Sequence, residues 1–231
     1  MSTYAPLTWD EEAKRFYENG VDHGVLWVFD STANSGAGAW MDGVAWNGLT
    51  AVTEKPSGAE PTPQYADNIK YLNLLSAEEF GLTIEAFFFP DEFKKCDGTA
   101  TLDASGAGAL TIGQQKREKF AFSYRNNIGS EAGGQEADSI INIVYGCLAA
   151  PTERPHSTVN DSTDAGNFSW EVSTTPVAVT GFKPTSILKI QVGKLTTAQK
   201  TALEAAIYGS ASANSTYKTP SEILTIITSA T

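Results

Sequence analysis

Apolar side chains fall at every second position in several stretches of this chain. Phe120, Phe122 and Tyr124 do so, as do Leu188, Ile190 and Val192, and Phe168, Trp170 and Val172 alternate with Ser169, Glu171 and Ser173. A period of two marks half-buried strands. Residues 25–29 and 140–145 are apolar on both faces, which puts them between other elements or inside an oligomer interface. Clusters of glycine and asparagine at 34–38, 98–108, 126–134 and 160–167 separate the runs. Many short strands with such punctuation predict a sandwich or barrel.

Helical signals are few. The strand-like run 84–89 meets Pro90-Asp91-Glu92-Phe93, which predicts a strand-to-helix corner and a short helix from Asp91 to Cys96, closed by Asp97-Gly98. Near the C-terminus Thr196 and Gln199 have the spacing of a capping box ahead of an apolar stripe at Ala202, Leu203, Ala206 and Ile207, with Gly209 as a stop. Thr219, Pro220 and Glu222 repeat the start signal before Ile223, Leu224, Ile226 and Ile227. The polar stretch 210–218 between them reads as a linker. A boundary near Gly193 divides the chain into a β domain, 1–193, and a helical extension, 194–231.

Between the apolar runs lies a polar stretch, 47–71, that reads as one long loop stiffened by Pro56, Pro61 and Pro63. Loops of that length usually carry a function. The pentapeptide Ser-Gly-Ala-Gly-Ala occurs at 35–39 and 105–109 with unmatched flanks, which is two flexible turns and not a repeat architecture.

Charge narrows the partners. The chain has 27 acids against 16 bases, a formal charge of −11 over 231 residues, and no window gathers lysine and arginine into a patch. Nucleic acid near such a surface gains no counterion release and is repelled. Cys96 and Cys147 lack metal-ligand spacing and read as reduced thiols of a cytoplasmic folding compartment. Neither a signal-like start nor a membrane-length apolar run is present.

Catalytic patterns are missing too: no nucleophile elbow, no phosphate loop and no dinucleotide fingerprint. His23, between Asp22 and Gly24, reads as a hydrogen-bonded turn residue, and His156 lies in a polar loop. Carboxylate pairs such as Glu11-Glu12, Glu78-Glu79 and Asp91-Glu92 are adjacent in sequence, so their side chains diverge. The reading is a protein that performs no reaction and needs no cofactor. Trp27 and Trp170 lie in strand patterns and read as core. Trp40 and Trp46 flank a turn, where exposed rings suit either a sugar or a neighbouring subunit.

Several blocks of residues carry a resemblance. They are Trp9-Asp10 with Arg15 and Tyr17; the run from Gly20 to Leu26; Trp46-Asn47-Gly48-Leu49-Thr50; Gly58-Ala59-Glu60; and Tyr65-Ala66-Asp67-Asn68 with Lys70-Tyr71. Further along come Ile84-Glu85-Ala86, Pro90-Asp91-Glu92-Phe93, Cys96-Asp97-Gly98, Ser123-Tyr124-Arg125, Val144-Tyr145-Gly146 and the run from Phe168 to Val177. Over residues 7–189 the chain resembles the major tail protein, or tail-tube subunit, of long-tailed bacteriophages. The resemblance implies a mainly β fold: a two-sheet β-sandwich with a short flanking α-helix, here followed by the helical C-terminal extension.

It further implies six copies in a ring, rings stacked into a virion tail tube assembled in the host cytoplasm, and DNA passing through the lumen without specific binding or any membrane contact. Implied partners are copies of the chain itself, a tape-measure protein, and tail-tip or tail-terminator proteins. The stretch 47–71 becomes an arm reaching the next ring, which makes Glu54, Pro56, Glu60 and Pro63, with Tyr65, Asp67, Lys70 and Tyr71, the candidate oligomer interface. Some relatives carry an immunoglobulin-like outer domain, for which residues 194–231 are too few. The competing readings are a carbohydrate-binding β-sandwich and a tube subunit of a contractile injection or secretion system.

Overall fold

Four consecutive residues show how the layers arise. In the computed structural model, which describes Leu7, Trp9, Glu11 and residues 14–230 apart from 103–109, 132, 155, 157 and 159–165, Leu26 and Val28 enter one apolar cluster. Val25 and Trp27 enter another. Successive strand residues point to opposite faces, so a strand with both faces covered is apolar throughout.

The strands, in chain order, are β1 (Phe16–Asp30), β2 (Ala39–Trp40), β3 (Val44–Trp46), β4 (Leu49–Gly58), β5 (Pro61–Ala66), β6 (Ile69–Leu75) and β7 (Glu78–Ala86). They continue as β8 (Ala100–Thr101), β9 (Thr111–Ile112), β10 (Phe120–Ser130), β11 (Gly134–Ala149), β12 (Phe168–Thr174), β13 (Val177–Val179), β14 (Phe182–Thr185) and β15 (Ile187–Gln191), followed by helices α1 (Thr197–Tyr208) and α2 (Pro220–Ser229). Nine strands form one branched antiparallel sheet, whose main path runs β2-β1-β10-β11-β12-β7-β4.

One branch is β3 on β1, and the other lies on β11. Its residues 140–144 pair with β15, whereas 147–149 pair with β12. From there β12, β7 and β4 fold back over β1, β10 and β11, so that Leu82, Ile84, Ala86, Trp170 and Val172 meet Leu26, Phe120, Phe122 and Val144 in one cluster. The result is β-sandwich-like with short helices, mainly β as the alternation predicts. Trp46, Phe93 and Trp170 fill its centre, with ring centroids 4.6 Å apart for Trp46–Phe93 and 5.3 Å for Phe93–Trp170.

The opposite face of β1, β10 and β11 is covered by the C-terminal helices. Leu203 and Ile207 of α1 and Ile223 of α2 are buried against Val25, Trp27, Ile141, Ile143 and Tyr145. Both doubly apolar runs are therefore covered within the chain, and neither requires a partner subunit to exclude water. Each helix starts at a complete capping box, Thr196 with Gln199 and Thr219 with Glu222, as the spacing predicts.

Three local expectations are corrected. The helix after Pro90 is a 3-10 helix, Asp91–Lys95, with Phe93 buried beneath it; five residues make little more than a turn, for which the tighter winding suffices. Of the expected turn at 126–134, residues 126–130 continue β10, because Asn126 and Asn127 pair with Ile140 and Ser139. Residues 210–218 are no free linker: Ser215 is buried, its hydroxyl accepts from Trp27 Nε1 at 3.0 Å, and Tyr217 stacks on Trp40 at 3.9 Å. Gly43 allows that approach, since a Cβ there would stand 2.0 Å from Ser215 Oγ.

Cys96 and Cys147 are free thiols buried in the sandwich. Burial pushes the Cys96 thiol up to about 12. The second pentapeptide, 105–109, and most of the cluster 160–167 lie outside the described residues.

Candidate assembly surfaces

The segment read as a loop is a β-ribbon arm. β4 and β7 pair along their whole length out to Gly58↔Glu78, and beyond them β5 and β6 continue as a hairpin. Its tip is Asp67-Asn68, with φ of 50° and 61°, the pair of left-handed residues that a two-residue hairpin turn requires. At the joint Gly58 (φ 80°) brings its backbone against Ala77, where a Cβ would lie 2.3 Å from the carbonyl oxygen. No side chain larger than hydrogen fits there.

Prolines at 56, 61 and 63 argued against strands, yet all three lie in them. Pro61 and Pro63 pair with Leu75 and Asn73, one parity of β5, and a strand accepts proline where the missing N–H faces away from its partner. The outer edge of β5 is thereby deprived of donors, which discourages strand addition on that side, while the edge of β6 keeps its donors. Its exposed side chains are the other surface it offers.

Every residue of β5 and β6 is exposed. Six of them are large and apolar, Tyr65, Ile69, Tyr71, Leu72, Leu74 and Leu75, between 40% (Leu72) and 71% (Tyr65) exposed. The register puts Ile69, Leu72 and Leu74 on one face with Thr62, Gln64 and Ala66. Isolated two-stranded hairpins are marginal in water, and apolar clusters of this kind mark interaction surfaces.

Of the candidate interface residues, Pro63, Tyr65, Asp67, Lys70 and Tyr71 lie on this hairpin, and Glu60 at its joint. Pro56 pairs with Phe80 at the base. Glu54 has a different place: its carboxylate accepts from Tyr124 Oη at 2.9 Å and Lys189 Nζ at 2.7 Å, tying β4 to the facing layer. Burial, then Glu54, pushes the Tyr124 hydroxyl far up. The sequence reading missed Ile69, Leu72, Leu74 and Leu75, although their apolar run was the signal.

A polar cluster lies on β1 and β10. Arg125 grips both oxygens of Asp22 at 2.8 Å, and His23 Nδ1 stands 2.9 Å from Asp22 Oδ1. His23 has φ 49° at a β-bulge, a turn-like histidine held by its neighbour. Among the described residues no group of three or more His, Cys, Asp or Glu converges to hold a metal ion. No helix of the described residues is long and apolar enough to cross a membrane.

Acid should weaken this molecule by a defined route. Hydrogen bonds from Arg125 are the largest cause lowering the Asp22 carboxyl; Lys55 lowers Glu171, and the Thr219 backbone N–H lowers Glu222. Each folded value lies below the unfolded one, so the stability contributed is complete above an ordinary carboxylate pKa of ~4 and is lost as pH falls through the folded values. Asp22 is 40% exposed, so salt screens its share. The urea midpoint should fall between neutral pH and about pH 3, with a shallower fall in Asp22→Asn; parallel curves would remove the pair from the account.

The tryptophans bear on the sugar reading. Trp27, Trp46 and Trp170 are buried, Trp40 is covered by Tyr217, and Trp9 alone of the five is exposed, at 77%.

No protein-family model and no curated protein sequence matches the chain. Among solved structures it is similar to a chain of the anti-feeding prophage baseplate, determined by cryo-EM and 6-fold symmetrised, with 9% identity, 82% of this chain and 97% of that chain covered, and a TM-score of 0.34. A likeness so distant leaves function to be argued from this chain's own surfaces.

Proposed function

We propose that the chain is a structural subunit of a phage tail tube, in which six copies close into a ring and rings stack through the arm to enclose a passage for DNA. The observation that carries the reading is the hairpin β5–β6: six large apolar side chains held out in solvent on a ribbon too small to be stable alone. Such a feature makes sense when a neighbouring molecule covers it. The sandwich-like fold and the resemblance over residues 7–189 agree with it, and sheet edges at β4 and β15 are open to further pairing. Heterologous contacts of this kind generate rings and stacks.

DNA is a passenger in this reading. Acids outnumber bases by 27 to 16, so a lumen of average composition offers phosphates no site at which to linger. The tube of a contractile injection or secretion system would use the same surfaces with different terminal partners. The spacing of Trp40 and Trp46 suggested a sugar platform, and both rings are occupied within the fold, Trp46 in the core and Trp40 under Tyr217.

Electron microscopy tests the proposal. The purified chain at high concentration should give rings or tubes, and a chain with Pro61–Leu75 replaced by a short glycine turn should keep its circular dichroism spectrum but fail to stack. Stacked tubes from the armless chain, or a full-length chain that stays monomeric and binds glycan, would overturn it.

A further inference from the structure

The helical layer leaves an apolar groove of about 550 Å³ between α2 and β15. Leu188, Ile190, Leu195, Leu224 and Ile227 line it, and among the described residues its charged ones are Lys189 and Lys194. Leu224 is 53% exposed although its neighbour Ile223 is fully buried, so the helix keeps apolar surface in reserve on its outer side.

We infer that this groove receives the arm of a second copy of the chain; the inference rests on the tube reading and names the surface on which the arm docks. Lengths agree. Ile69 to Leu74 spans ~17 Å of strand, and the ten residues of α2 span ~15 Å of helix. Chemistry agrees as well: the face bearing Ile69, Leu72 and Leu74 is apolar, as is the groove.

Charge sets the orientation. The arm and its base bear Glu60, Asp67, Glu78 and Glu79 against Lys70, with Lys55 held by Glu171, opposite in sign to Lys194 of the groove, whose other lysine, Lys189, is held by Glu54. Complementary charges steer an encounter and fix its register. Arm and groove are different surfaces, so the contact is heterologous: each copy gives an arm and takes one, which propagates along a stack where a self-complementary patch would stop at a dimer. The prolines disfavour strand addition at the β5 edge, and the apolar face of Ile69, Leu72 and Leu74 carries the contact.

Cysteine cross-linking tests it, because both native thiols are buried and give no background. Two differently tagged chains, Leu74→Cys on the arm and Leu224→Cys on the groove, are mixed under assembly conditions and treated with a short bis-maleimide. A covalent dimer carrying both tags is expected, with at least tenfold less from Leu74→Cys mixed with Leu102→Cys, an exposed position beside β8. Rings or tubes that form normally without the 74–224 cross-link would overturn the docking surface and leave the tube reading standing. Chains that sediment only as monomers and give no cross-link would overturn both.

Discussion

Replacing Trp170 with alanine should destabilise the chain by about 3–5 kcal/mol, the usual cost of deleting a large aromatic from a closed core. Trp170 is fully buried, and its ring lies 5.3 to 5.8 Å from those of Phe93, Phe89, Trp46 and Phe168. Most of these contacts are edge-to-face, the arrangement that adds ~0.5–1.5 kcal/mol per pair beyond burial. The surrounding strands are paired on both sides and cannot collapse into the space. With total stabilities commonly ~5–15 kcal/mol, such a loss brings the chain near its threshold. Trp170→Phe should cost far less, since the indole Nε1 makes no hydrogen bond within the protein and the replacement keeps a ring in place. Urea unfolding of the two variants decides; equal midpoints would mean that the cluster is not the centre of the core.

The sheets were largely legible in the sequence. Alternation at 120–124, 168–172 and 188–192 marked β10, β12 and β15, because one residue type per face is a local property that no distant contact can disguise. The capping boxes at Thr196 and Thr219 were equally local, and both helices begin there. The arm was obscured by its own chemistry. Three prolines and a run of polar residues looked like a loop, and the prolines are tolerated only because they face away from the partner strand. Asp67-Asn68 was the missed clue, two residues that accept positive φ between Tyr65 and Tyr71. Ser215 and Tyr217 looked like linker because what buries them is remote, at Trp27 and Trp40.

Residues 25–29 and 140–145 mark a limit of pattern reading. Two apolar faces say that two layers cover a strand, and they do not say whose layers. Here the folded-back strands β12, β7 and β4 cover one face and the C-terminal helices the other. Assembly accordingly falls to the arm, whose apolar side chains no described residue covers.

Ending the chain after Gly193 should be more damaging than any point substitution. The cut removes α1 and α2, and with them Leu203, Ile207 and Ile223, each essentially inaccessible to solvent. Burying one such side chain contributes ~1.5–3 kcal/mol, so the three together approach the stability of a typical domain. The loss is doubled in kind, because Val25, Trp27, Ile141, Ile143 and Tyr145 on the sheet beneath are uncovered at the same time. Trp27 also loses the Ser215 hydroxyl that accepts its N–H, and Trp40 loses Tyr217. The truncated chain should be insoluble, or soluble only with strong binding of a hydrophobic dye and no cooperative melting transition. A milder variant, Leu203→Ala, should fold with a loss of about 2–5 kcal/mol, which separates loss of cover from failure of synthesis. If residues 1–193 alone gave the full chain's melting curve and no dye binding, the helices would be an ornament on a self-sufficient sandwich, and the groove between α2 and β15 would lose its standing as a structural surface.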